Sequence, residues 1–392
     1  MTMTRVLLVV GTRPEAIKLA PLYLELRRST TVHVMLCAAG QHREMLAAVL
    51  DFFGIVPETS IDVMTAAQTL PGLTARLLRK LDVVYRRARP DLVVVQGDTT
   101  TTMTAALAAC YRRILVAHVE AGLRSFDRRA PFPEETNRTM ATHCADYHFA
   151  PTERARANLV REGIAPERMW VVGNTVVDAL LHARSLVEHV EPADADSRLA
   201  AVDFGKSVIL VTGHRRENFG APLRNICQAL RQLAAIHDVE IVYPVHLNPR
   251  VGSVVSGALG SSRNVHLLPP LEYPAMIALM NRARLILTDS GGIQEEAPAL
   301  NKPVLVLRDV TERPEGVACG AARLVGTRPS RIVNEVSRLL RDPEAYARMA
   351  AAPNPYGDGQ TSARIRAVLE RLAVDGPHRP RTDSMNSARS VT

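Results

Sequence analysis

Arg5 to Val10 is an unbroken apolar run, and it passes straight into a polar turn, Gly11-Thr-Arg-Pro-Glu-Ala-Ile-Lys18. The same beat recurs: Val32 to Cys37 before Gly40-Gln-His-Arg, Asp91 to Gln96 before Gly97-Asp-Thr, and Arg113 to Ala117 before His118-Val-Glu-Ala-Gly. Ala145 to Ala150 and Arg168 to Val172 extend the series. Continuous apolar runs suit parallel strands buried on both faces. Helical segments stand between them, at Leu70 to Arg87, Met103 to Cys110 and Thr152 to Arg161. Strand and helix in alternation imply a parallel sheet with right-handed crossovers.

The first series ends near Gly173-Asn-Thr-Val176. Val177 to Leu186 is helical, and the polar stretch from Glu191 to Lys206 reads as hinge and linker. A second series starts at Ser207 to Val211 and runs through Val239 to Val245, Asn264 to Leu268, Arg284 to Thr288, Val304 to Leu307 and Ala322 to Val325. Helices at Ile332 to Leu340, Pro343 to Ala350 and Thr361 to Leu372 follow. A chain of 392 residues is long enough for two domains. The expectation is therefore two doubly wound domains facing across a cleft. Residues 1–176 would form the first, completed by the helix near 361–373, and 177–355 the second. The polar, aperiodic tail 376–392 carries Arg379, Arg381 and Arg389 against Asp383, a net of +2, and reads as disordered.

Composition narrows the partners. Aromatic content is 4%, with Trp170 the sole tryptophan, so base-stacking platforms for single-stranded nucleic acid are not expected. The net charge of +8 comes from scattered arginines, which suits an anionic small substrate better than nucleic acid. No apolar run approaches the roughly 20 residues of a membrane-spanning helix. The five cysteines are far apart, without CxxC or Cys/His ligand spacing. With no signal peptide they predict reduced thiols in a cytoplasmic protein, and no metal is expected. The GxGxxG dinucleotide fingerprint, the GxxxxGK[ST] loop and the GxSxG elbow are all missing, which argues against bound nicotinamide, P-loop and serine-hydrolase chemistry.

Chemistry-bearing residues gather where the apolar runs end. In open α/β sheets that is where ligands bind. His118 to Asn137, HVEAGLRSFDRRAPFPEETN, together with the next residue, crowds Glu120, Arg124, Asp127, Glu134 and Arg138 just past a strand. Asp98, Glu120, Glu134, His214 and His246 form a candidate proton-transfer set, with Arg13, Lys18 and Arg313 as cations for an anionic leaving group. Carboxylates sharing a cleft repel, so one can be held protonated and serve as an acid. Ser290-Gly291-Gly292 ahead of a helix from Ile293 to Leu300 is the best phosphate cradle, and Glu296 could receive the two hydroxyls of a ribose. Asp98 also reads as a plain helix cap, and Glu15 with Lys18 as a plain surface pair.

Taken together, GTRPEAIKLAPL, GQHREML, VVVQGDTTTT, HVEAGLRS, PFPEETNR, VVGNTVVDAL, VTGHRREN, PVHLNP and TDSGGIQEEAPALNKPVLVLRDVTERPE resemble the non-hydrolysing UDP-N-acetylglucosamine 2-epimerases, in that family's order. The resemblance implies a GT-B-like α/β fold, two Rossmann-like domains with the active site in the interdomain cleft. It implies reversible interconversion of UDP-GlcNAc and UDP-ManNAc without NAD or another cofactor, by anti elimination of UDP and re-addition to a 2-acetamidoglucal. Asp98, Glu120, Glu134 and His214 match the proton-transfer positions. Arg13, Lys18, His246, Ser290, Gly291, Gly292, Glu296 and Arg313 match the nucleotide- and phosphate-binding positions. A homodimer and a supply role for surface polysaccharide are implied too. Two departures stand out. Phe126 replaces a Gly of many members, near the expected sugar pocket. Ala67 replaces an Arg of members that bind a second UDP-GlcNAc as activator through positions matching Gln41 and His42. A 2-epimerase of a modified UDP-sugar of the 2,3-diacetamido uronic acid type, a variant hydrolysing through to free ManNAc, a GT-B glycosyltransferase and a non-catalytic UDP-sugar binder remain as alternatives.

Overall fold

The computed structural model describes residues 3–40, 43–65, 68–213, 215, 218–246 and 248–375. Its first seven strands are β1 (Thr4–Val10), β2 (Val32–Gly40), β3 (Thr59–Asp62), β4 (Leu92–Gln96), β5 (Leu115–Val119), β6 (Tyr147–Ala150) and β7 (Met169–Val171). They form one sheet in the order β3-β2-β1-β4-β5-β6-β7, parallel throughout. The next six are β8 (Ser207–Thr212), β9 (Val239–Pro244), β10 (Val265–Leu268), β11 (Leu285–Thr288), β12 (Val304–Val306) and β13 (Ala322–Leu324). They form a second parallel sheet, β10-β9-β8-β11-β12-β13. Strand order reverses between β1 and β4 in one sheet and between β8 and β11 in the other, so each has a crevice at the carboxyl ends of that pair.

The apolar runs are buried as parallel strands require: Val6 to Val10 and Val93 to Val95 are at most 1% exposed. Helices cover both faces through apolar spacing. Leu70–Ala88, capped by Thr69, buries Leu73, Leu77, Leu81, Val84 and Tyr85, a stripe of period near 3.6. Each such leucine contributes about 1.5–3 kcal/mol relative to exposure. β3 has no counterpart in the sequence reading. It is a four-residue edge strand of alternating burial, too short and too polar to stand out. The stretch 191–206 is not a bare linker. It holds helical turns at Pro192–Ala195 and Ser197–Ala201, and Leu199 is fully buried.

The chain crosses between the sheets twice. It leaves the first at Asn174, which caps helix Thr175–Leu186, and it returns through residues 353–360 to helix Thr361–Asp375. That last helix packs on Arg13–Leu26, buries Ile365 and Leu369, and reaches Glu25 through Arg366 at 3.1 Å. An apolar cluster bridges the two halves, where Phe53 stacks on His182 and meets Tyr273.

Candidate active site

The turn after β1 is held from beneath. A Cβ on Gly11 would lie 2.2 Å from Thr101 Oγ1, so only glycine lets β1 run this close to helix Thr100–Tyr111. Glu15, buried on helix Arg13–Leu26, accepts from Gly11 N (2.9 Å), Thr12 N (2.6 Å), Thr99 Oγ1 (2.6 Å) and Thr102 Oγ1 (2.8 Å). Burial raises its pKa, and these donors only partly offset the rise. Glu15 is therefore a brace between two strand ends and not the surface partner of Lys18. Thr99, rather than Asp98, caps the next helix.

Lys18 reaches Glu120 instead, Nζ to Oε2 at 2.5 Å. Glu120 follows β5 in the left-handed region at φ 62° and is 7% exposed. Gln96 Nε2 donates to the same oxygen, and Arg313 Nη2 stands 4.0 Å from the other. Burial would raise this carboxyl, but Lys18, Arg313 and Arg138 outweigh it and hold the pKa below the ordinary value. His118, buried beneath, donates Nε2–H to Gly97 O at 2.8 Å, and burial pushes its pKa down to about 3, so it stays neutral. Asp98 pairs with Arg138 of helix Glu134–Cys144, while Asn137 Nδ2 donates to its carbonyl at 3.0 Å. Lys18, Gln96, Asp98, Glu120, Arg138 and Arg313 line one cavity of ≈ 220 Å³. Arg313 belongs to the second half of the chain, so both halves enclose one space. It also lines an adjoining cavity of ≈ 240 Å³ with Arg124, Arg154 and Arg308.

From the second half, Gly291 and Gly292 lie inside the first turn of Gly291–Glu296, not ahead of it. Ser290 N donates to Thr288 Oγ1 at 2.9 Å. A Cβ built on Gly291 would have Arg215 Nη2 at 3.7 Å and the Arg313 guanidinium at 3.8 Å, so two cations flank a glycine backbone. Asp289 accepts from Arg215 N and Asn218 Nδ2, fixing the loop that carries Arg215. Burial, reinforced by the Glu295 charge, raises the Glu296 pKa to about 7 against the opposing pull of Lys18 and Arg13. Arg13 lies 3.9 Å from Glu272 across the halves, and His246 Nδ1 accepts from Asn248 N beyond β9.

Among the expected residues, the fold brings together Lys18, Asp98, Glu120 and Arg313 around the cavity, with Gly291 beside Arg313. Glu134 heads its helix half-buried and is not among the described residues lining that space. His214, Gln41, His42 and Ala67 lie outside the described residues. Arg138, expected in the polar cluster after β5, lines the cavity as well, whereas Gln96, Arg215 and Glu295 were missing from the expected site. A buried glutamine closing an apolar strand was the one local signal, at Gln96. Phe126 fills no apolar gap. It is 57% exposed under the Arg161 guanidinium at φ 61°, a conformation that suits the Gly the resemblance implies there. No cluster of three His, Cys, Asp or Glu could hold a metal among the described residues, and no helix there is long and apolar enough to cross a membrane.

Two Rossmann-like domains of the GT-B type, with acids from one and a cation-flanked glycine turn from the other around one cavity, define the class. Within it, the chain belongs to the UDP-N-acetylglucosamine 2-epimerase family, whose profile matches residues 24–370. The UDP-N-acetylglucosamine 2-epimerase of Escherichia coli K12 is 53% identical over 375 residues, covering 94% of this chain and 99% of the relative. Among solved structures, the Neisseria meningitidis UDP-GlcNAc 2-epimerase bound to UDP-GlcNAc superposes with TM-score 0.86 at 43% identity, over 94% of this chain and 100% of that one. The Methanocaldococcus jannaschii UDP-GlcNAc 2-epimerase in complex with UDP-GlcNAc and UDP gives 0.78 at 35%, over 94% and 100%.

Proposed function

We propose that this chain interconverts UDP-GlcNAc and UDP-ManNAc by eliminating and re-adding UDP. A carboxylate takes the C2 proton, the C1–O bond to UDP breaks, and a 2-acetamidoglucal forms. UDP oxygen then attacks C1 while a proton reaches the opposite face of C2. The observation that carries this reading is the shared cavity. Asp98 and Glu120 face it from the first half and Arg313 from the second, with the Gly291 turn behind Arg313. The C2 proton is weakly acidic, so a base alone is not enough. Charge developing on the departing diphosphate needs fixed cations, which Arg313, Arg215, Lys18 and Arg13 supply. Glu134 and His214 complete the proton-transfer set, and His246, Ser290, Gly292 and Glu296 the nucleotide site, by their match to the family motifs. The same reading divides the chain into residues 1–176 and 177–355, with the helix near 361–373 returning to the first domain.

The test is NMR of UDP-GlcNAc incubated with the protein in heavy water. Deuterium is expected at C2 of both UDP-sugars. Sugar nucleotides that stay unlabelled, including the diacetamido uronic acid type, would refute the reading. Steady release of free UDP and ManNAc would point to the hydrolysing variant.

Glu296 gives a second expected result. Its ionised form accepts ribose hydroxyls, and its pKa stands raised to about 7. Binding is therefore favoured above that pH and lost as pH falls through it. The KM for UDP-GlcNAc should rise toward about tenfold per pH unit below neutrality. A Glu296→Gln protein should lose this slope, and an unchanged slope would remove Glu296 from the ribose site.

A further inference from the structure

Asn174 and Glu295 take no part in the reaction proposed above, yet both converge on its arginine. Asn174 is 1% exposed, at the point where the chain leaves the first sheet. Its Oδ1 accepts from Val176 N at 3.1 Å, which caps the helix and leaves the amide to donate elsewhere. Nδ2 donates to Glu295 Oε2 at 2.9 Å. The other Glu295 oxygen receives Arg313 Nε. The backbones of both partners are tied to the returning crossing. Asn354 Nδ2 donates to Glu295 O at 3.1 Å, and Tyr356 OH donates to Arg313 O at 3.0 Å. Asn174 N in turn donates to Tyr356 O at 2.6 Å, so the outgoing and returning segments are bonded to each other as well as to the site.

The geometry matters because a guanidinium is planar, with five N–H donors in a fixed fork. Holding Nε at Glu295 aims the two terminal nitrogens outward. One stands 4.0 Å from Glu120 Oε1, and the carbon of the fork is 3.8 Å from a Cβ position on Gly291. We propose that Glu295 and Asn174 are positioning residues for the reaction: they set the Arg313 guanidinium between the departing diphosphate and Glu120, with Asn174 tying that setting to the crossing between the two sheets. This rests on the function proposed above. An arginine aimed at charge that appears only as UDP leaves acts on kcat more than on KM. A buried ion pair that merely props the two halves together would move stability and both constants alike.

Two variants of the full chain separate these cases. Glu295→Gln keeps the shape and removes the charge. Asn174→Ser keeps a capping oxygen and removes only the reach to Glu295. We expect kcat for UDP-GlcNAc to fall about 20-fold or more in the first and about fivefold or more in the second, with KM and UDP affinity within about threefold. Should Glu295→Gln fail to fold because Arg313 is left unpaired, Asn174→Ser decides alone. Wild-type kcat in the variants that fold, or kcat and KM worsening in step with a lowered thermal midpoint, overturns the inference. If the wild-type protein itself exchanges no C2 hydrogen, the proposed function falls and takes this inference with it. If the wild type exchanges and the variants match it, only the positioning inference falls.

Discussion

A Glu120→Gln protein is expected to lose about 10³-fold in C2 exchange while binding UDP within about threefold of the parent. That loss corresponds to about 4 kcal/mol of transition-state stabilisation. The reasoning starts from the two oxygens of the side chain. One receives Lys18 and Gln96, and the other faces Arg313. An amide keeps the volume and can still accept from Lys18, but it cannot take or return a proton. It also leaves the cations Lys18 and Arg313 without the charge between them. UDP binding survives because the Gly291 turn and Arg215 belong to the other half. Asp98→Asn is expected to behave alike, since it removes the acid that Arg138 holds in the same cavity. Near-normal turnover in both proteins, with circular dichroism unchanged, would remove the carboxylates from the chemistry.

The largest expected effect on stability lies two residues further on. Gly122 has φ 88°, and a Cβ there would stand 2.2 Å from the Ala155 carbonyl oxygen. That contact is to backbone, so no rotamer change relieves it. Left-handed strain alone costs about 1–2 kcal/mol, and displacing helix Glu153–Arg161 adds to it. Gly122→Ala is expected to destabilise by about 3 kcal/mol or more. Asn158 Nδ2, which donates to Gly122 O at 3.0 Å, would be disturbed as well. Gly54→Ala is the control. It has φ 64° and open space around the new methyl, so only the strain term should register. Equal urea midpoints for the two variants would contradict the close-approach argument.

The alternation of strand and helix was legible because a parallel strand buried on both faces must be apolar throughout, and Arg5 to Val10 or Leu92 to Val95 leaves little choice. The Thr59–Asp62 edge carried no such pressure, since one face and one edge meet solvent. Likewise the polar 191–206 stretch hides one decisive side chain, Leu199, in a segment whose average is hydrophilic. At the site, Asp98 and Glu120 announced themselves as acids directly after apolar runs. Arg138 stood out in the cluster after β5 but its pairing with Asp98 did not, and Glu295 gave no sign of its role, because these pairings join partners distant in sequence: Asp98 for one, Asn174 and Arg313 for the other. A local pattern cannot encode a pair that only the finished fold creates. The same holds for Glu15, whose spacing to Lys18 fits a helix surface while its burial sends it to Thr99 and Thr102.

Helix Thr361–Asp375 lies against Arg13–Leu26, with Ile365 and Leu369 sunk among residues of the opening strands. A ribosome makes helix Arg13–Leu26 long before helix Thr361–Asp375. The half translated first therefore stays an unfinished layer, with an apolar groove bare to water, until helix Thr361–Asp375 has emerged. Cells expressing a shortened transcript would accumulate an amino-terminal fragment with that seam open, a natural client for chaperones rather than a free-standing nucleotide-binding module.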